Sequence, residues 1–159
     1  MKKRVFVMAI LAGMFFLAAT VTFGQGGATQ GPDVTRDPEM EKDSLHNLEA
    51  ARLYFKLRKA YVASLQRCEE IIAGNPTFAK IDEVLYMAGK SSMNLSENKG
   101  KQASTQYVIR EGEKKTTLSS EEFRQKAREY LSQLVAQYPQ SSFRSQAEDD
   151  LKMLGGAKP

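Results

Sequence analysis

The sequence has 159 residues, 42% hydrophobic and 26% charged, with a formal net charge of +4. That suffices for one compact domain and excludes a multidomain enzyme, a collagen-like chain and a fully disordered chain. A lone cysteine, Cys68, excludes an internal disulfide.

The charge is unevenly placed. Lys2, Lys3 and Arg4 open the chain, and an uncharged apolar run follows from Val5 to about Ala19. Small and polar residues then lead to Gly24-Gln25. A basic stretch, an apolar stretch and a small-residue exit form the layout of a secretory signal, with Thr22 and Gly24 before the cleavage point. The competing reading is a retained anchor, since residues 5–23 nearly reach the length that spans a bilayer. No cysteine closes the apolar run, so a lipid anchor is not expected there. Setting aside the three basic residues leaves +1, which removes the concentrated basic surface that nucleic-acid binding needs.

Residues 25–37 read as a flexible tether, rich in Gly, Thr and Gln. Asp37-Pro38-Glu39 carries the cap, first-turn proline and acidic residue of a helix start. The helix starts there or as late as Ser44. Leu45, Leu48, Ala51 and Phe55 then mark one helical face. Tyr61, Leu65, Cys68, Ile71 and Ile72 mark a second helix, stopped at Gly74-Asn75-Pro76, where Gly permits a left-handed turn and Pro cannot continue the ladder. Val84, Leu85, Ala88, Ser92 and Leu95 mark a third. Residues at about 96–118 form a polar insertion whose one apolar island is Gln106–Ile109, open to a short strand, a helical turn or a patch that orders on binding. No segment reads as a clear strand.

Ser119 and Glu122 have capping-box spacing. Phe123, Ala127, Tyr130, Leu131, Leu134 and Tyr138 follow as a fourth helix, closed by Pro139. A short fifth helix holds Phe143, Ala147, Leu151 and Leu154. The expected fold is all-α, a short helical solenoid of about two helix pairs plus a C-terminal capping helix, spanning residues 38–155. Two of its helices end alike, in QRCEEIIAGNP (66–76) and EYLSQLVAQYP (129–139). One short pair cannot hide its apolar face alone, whereas stacked pairs can.

These segments resemble tetratricopeptide repeats. Leu48, Tyr61, Ser64, Leu65, Ile71 and Pro76 fall at the family positions in repeat one. Leu85, Ala88, Gly89, Ala127, Leu131, Leu134 and Pro139 do so in repeat two. Gly89 and Ala127 are then the small residues at the closest helix approach. Arg52 departs from the pattern, standing where a small residue belongs, and the insertion separates the helices of repeat two. The run AREYLSQLVAQYPQSSFRSQAEDDL (127–151) is similar to the BamD-like domain of outer-membrane assembly lipoproteins. The repeats of the Tol-Pal accessory protein are also similar.

The resemblance implies a non-catalytic periplasmic adaptor binding envelope proteins or peptides, in outer-membrane protein assembly. The alternative is a Tol-Pal-type accessory module acting in envelope constriction. The expected location is the periplasm or beyond, in association with the outer membrane. The alternative location is the inner membrane, anchored by residues 5–23. Membrane contact is expected to be indirect or through that segment. The first helix of each repeat lines the concave face in this family, which places Glu49, Leu53 and Lys56 there from repeat one, and Tyr86, Lys90 and Met93 from repeat two. That mix suits an extended or helical peptide.

No catalytic constellation is expected. Cys68 lies on an apolar face and reads as an inert core thiol. His46 has no second ligand or nucleophile near it. Glu69-Glu70, Glu121-Glu122 and Glu148–Asp150 read as solvated faces, since adjacent helical residues do not face each other. Ser104 and Thr105 lack a local base. No cofactor or metal is expected.

Overall fold

The computed structural model describes residues 36–155. The signal-like segment 1–24 and the tether up to residue 35 lie outside the described residues. The elements are α1 (Pro38–Leu53), a π-helical turn (Tyr54–Arg58), α2 (Tyr61–Gly74), α3 (Ile81–Ser96), β1 (Val108–Glu111), β2 (Lys114–Thr117), α4 (Ser120–Gln137) and α5 (Arg144–Met153). The architecture is all-α, as the helical spacing predicts, and tetratricopeptide-like, as the resemblance implies.

Local chemistry sets the starts. The Asp37 carboxylate accepts from the backbone N–H of Glu39 at 2.8 Å and of Met40 at 3.3 Å, so α1 begins at its earliest expected position. At α4 the Ser119 hydroxyl accepts from the Glu122 N–H while the Glu122 carboxylate accepts from the Ser119 N–H, a complete capping box. That interaction also holds the exposed Glu122 carboxyl below its ordinary range. Gly74 keeps helical backbone, contrary to the expected left-handed turn. What ends α2 is Asn75, whose backbone has left the helical range ahead of Pro76.

The residues that the helical spacing selects are buried or half-buried, with one exception. Leu48 and Ala51 are buried and Phe55 is half-buried, but Leu45 is exposed. Ser44 takes the buried place beside Asn75, which donates to it at 3.1 Å. This bond ties the start of α1 to the end of α2, while the Ser64 hydroxyl donates to the Ala51 carbonyl further along. The two helices therefore run antiparallel. Ser91 of α3 donates to Ser64 at 3.2 Å, so small serines line the place where three helices meet.

α3 and α4 form the second antiparallel pair despite the long insertion between them. The closest approach is at Gly89, where a Cβ would lie 2.6 Å from Cγ of Leu131. Ala127 is fully buried one turn away. Glycine costs helix stability relative to alanine, and at position 89 it permits the approach.

The helices form two layers. α1, α3 and α5 make one. Arg52 of α1 forms a two-pronged ion pair with Glu83 of α3, at 2.7 and 2.6 Å. Lys90 of α3 pairs with Asp150 of α5 at 2.7 Å. α2 and α4 make the other layer, joined by Lys126 and Glu69 at 2.6 Å. Between them lie two hydrophobic clusters, one around Leu48, Leu65, Cys68, Val84 and Phe123, the other around Leu85, Leu131, Leu134, Ala147 and Leu151. Both lie wholly within the described residues.

The insertion corrects the strand-free expectation. β1 and β2 pair antiparallel, with Val108 opposite Thr117 and Glu111 opposite Lys114. Gly112, at φ 62°, takes the first place of the two-residue turn, the position where glycine is favoured. The hairpin is polar and mostly exposed, so it carries little of the apolar alternation by which strands are read.

Candidate functional site

The layer of α1, α3 and α5 carries all six positions expected to bind a partner, and the structure divides them. Glu49, Leu53 and Lys56 are exposed on α1 and the turn after it, with Leu53 42% exposed. Tyr86, Lys90 and Met93 are half-buried on α3. Two of these are occupied within the chain. The Tyr86 ring stacks on Phe143 at 5.1 Å, and Lys90 holds Asp150. The expected face is thus closed by α5 at its C-terminal end and open at α1.

Arg52 stands where the repeat pattern has a small residue, and its reach to Glu83 explains the departure. The guanidinium links α1 to α3 in a planar two-point contact that lysine cannot make. Hydrogen bonding to Glu83, together with the charges of Glu83 and Glu49, raises its already high pKa. The Arg52 guanidinium therefore stays charged across the neutral range.

The opposite layer holds a polar cluster that residue spacing did not reveal. Glu69 accepts from the Tyr107 hydroxyl at 2.8 Å, the Tyr130 hydroxyl at 2.8 Å and Lys126 at 2.6 Å. Tyr107 belongs to the insertion, and its ring meets Phe123 edge-on at 5.5 Å. Lys126 also lies over both tyrosine rings. The cluster fastens the base of the hairpin to α2 and α4. Glu69 and Lys126 are 57 positions apart, beyond the reach of any local motif.

A family model described as an outer membrane lipoprotein family, YfiO, matches residues 36–156. The chain belongs to the YfiO family. No curated protein and no solved structure gives a significant match. The family match begins where the described helical domain begins and ends one residue beyond it. It thus covers both layers, the insertion and the open α1 face. With membership comes association with the cell envelope. Among the described residues no helix is long and apolar enough to cross a membrane.

Cys68 is the one cysteine in the sequence and is fully buried in α2. Burial, then the nearby Glu69 and Glu83 charges, push its thiol far above the ordinary range. A buried, protonated thiol of this kind is a poor nucleophile. Burial and the Glu69 charge also push Tyr107 and Tyr130 well above the usual phenol value of 10.0. All three groups hold their protons in the folded chain at pH values where the unfolded chain releases them. Their contribution to stability is whole below about pH 9 and declines as pH rises further. Denaturant unfolding is accordingly expected to give equal stabilities at about pH 7 and 8 and a falling midpoint above about pH 10. A midpoint that stays level into that range would contradict the burial of these groups.

Proposed function

We propose that this YfiO-family chain acts by binding rather than by catalysis, as a periplasmic adaptor in outer-membrane protein assembly. Its helix pairs work as tetratricopeptide repeats. The open face of α1, with Leu53 between Glu49 and Lys56 and with Met93 on the neighbouring α3, receives an extended or helical segment of an envelope protein. The observation that carries the reading is the split of the inner layer. α5 covers Tyr86 and Lys90, while Leu53 stays exposed on α1 beside the Arg52–Glu83 ion pair. An apolar anchor within a charged rim is the composition that peptide recognition uses.

Deleting the chain from the cells that make it is expected to lower the amount of folded β-barrel protein in their outer membrane, measured by quantitative proteomics of that membrane. Wild-type barrel levels in the deletion strain would overturn the assembly role. Wild-type levels together with a constriction defect would favour the Tol-Pal-type alternative.

A further inference from the structure

The corner between α1 and α2 breaks three local rules at once. The π-helical turn ends at Lys59, whose backbone is left-handed with φ 53°, a conformation that a residue with a side chain adopts at a cost. Glycine is the residue that fits such a helix end best. Leu57 is 74% exposed, the most exposed large hydrophobic side chain among the described residues. It stands among Lys56, Arg58 and Lys59, all exposed.

The first residues of the insertion lie against this corner. The Lys101 N–H donates to the Lys59 carbonyl at 2.9 Å, and the Ala63 N–H donates to the Gln102 side chain at 3.0 Å. Gly100, at φ 101°, sits so close that a Cβ would be 2.6 Å from both the Lys59 carbonyl oxygen and the Tyr61 ring. The contact brings exposed Lys101 into the same cluster. Lys99 pairs with Glu97. Among the described residues Lys56, Arg58, Lys59 and Lys101 have no carboxylate partner, and Arg58 rests over the Tyr54 ring. The backbone bonds to the Tyr54 carbonyl and from Lys101 hold the turn closed, but stability accounts for neither the exposed Leu57 nor the massed cations. Water gains nothing from Leu57, like charges repel, and the left-handed lysine is strained. Local rules broken together at one place mark a functional surface.

We propose that this corner docks on an anionic phospholipid surface. Leu57 enters the boundary between headgroups and acyl chains, and the four cations pair with headgroup phosphates. An acidic peptide could also meet a basic cluster, but it has no use for a protruding apolar side chain at the centre of that cluster. A bilayer instead receives a protruding apolar side chain flanked by positive charge. Membrane contact is then direct, rather than only indirect or through residues 5–23. The proposal does not rest on the peptide-binding face, whose residues are different apart from Lys56 at the border.

The chain contains no tryptophan, so Leu57→Trp in the full chain gives a single reporter of position 57 itself. Vesicle binding by residues 5–23 alone leaves that signal unchanged. Phosphatidylglycerol vesicles are expected to shift its emission to the blue, brominated acyl chains to quench it, and phosphatidylcholine vesicles to do neither. Met153→Trp, at another exposed apolar position, is expected to stay silent. Each cation near an anionic leaflet contributes roughly five-fold in affinity. Adding Arg58→Glu and Lys101→Glu to the reporter should therefore weaken vesicle binding by on the order of 25-fold or more. Lys59→Gly separates function from folding, because it should keep or raise the melting temperature while weakening binding roughly five-fold. An unshifted reporter, an equal shift on both vesicle types, an equal shift of Met153→Trp, or full affinity in the Lys59→Gly chain would overturn the proposal. A reporter silent on vesicles but shifted by poly-glutamate would assign the corner to an acidic protein segment and equally overturn it.

Discussion

Leu131→Ala is expected to lower the unfolding free energy by about 2–5 kcal/mol, a large share of what a domain of this size commonly has. Leu131 is fully buried and belongs to the cluster shared by α3, α4 and α5. Its side chain also fills the space that a Cβ on Gly89 would need. Gly89→Ala alone gains helix propensity of about 1 kcal/mol but forces Leu131 aside, at a cost of about 1–3 kcal/mol. The net result is a modest loss. With Leu131 already reduced to alanine the same change finds room, and it should stabilise by about 1 kcal/mol. Denaturant unfolding of the two single variants and the double variant reads this reversal of sign. A Gly89→Ala effect that is the same in both backgrounds would mean that α3 and α4 do not meet at these residues.

Lys90→Met is expected to cost about 2–4 kcal/mol, and Asp150 explains why. Asp150 is buried, one carboxylate oxygen accepts from Lys90, and the other has no hydrogen-bond partner among the described residues. Removing the cation leaves a charge in the interior with nothing to offset it, which is the expensive way to break such a pair. Lys90 keeps partial access to water, which limits the loss. Asp150→Asn removes the charge itself. Combined with Lys90→Met it should recover at least half of the deficit in the same unfolding measurement. Hydrogen exchange should show α5 opening first in Lys90→Met, since the Lys90–Asp150 pair helps hold it against α3.

Most of the fold follows from spacing that is local in the chain. Leu48, Ala51, Leu65, Cys68, Val84, Leu85, Ala127 and Leu131 recur at helical intervals, and each is buried. Capping chemistry at Asp37 and Ser119 is likewise contained in four consecutive residues. The pairing of α3 with α4 needs more, because the insertion hides the repeat length; the small residue at position 89 is the trace that remains.

The site divides in the same way. The inner face is legible because one helical surface repeats every few residues. Its partial closure by α5 is not, since Tyr86 meets Phe143 only through tertiary packing. Glu69, Tyr107, Lys126 and Tyr130 come from three separate segments, and no spacing predicts their meeting. The hairpin escapes notice because Arg110 to Lys115 lack apolar alternation. The exposure of Leu57 likewise reverses what an apolar residue near a helix end implies.

The open inner face is tested most directly by a photo-crosslinker placed singly in intact cells. One position is Leu53, exposed on α1, and the other is Gln66, exposed on α2 in the opposite layer. Tyr86 and Lys90 are poor sites for the probe, since replacing either removes a contact with α5. Crosslinks to outer-membrane β-barrel precursors from Leu53 and none from Gln66 are the predicted result. Equal capture from both positions, or none from Leu53, would contradict it.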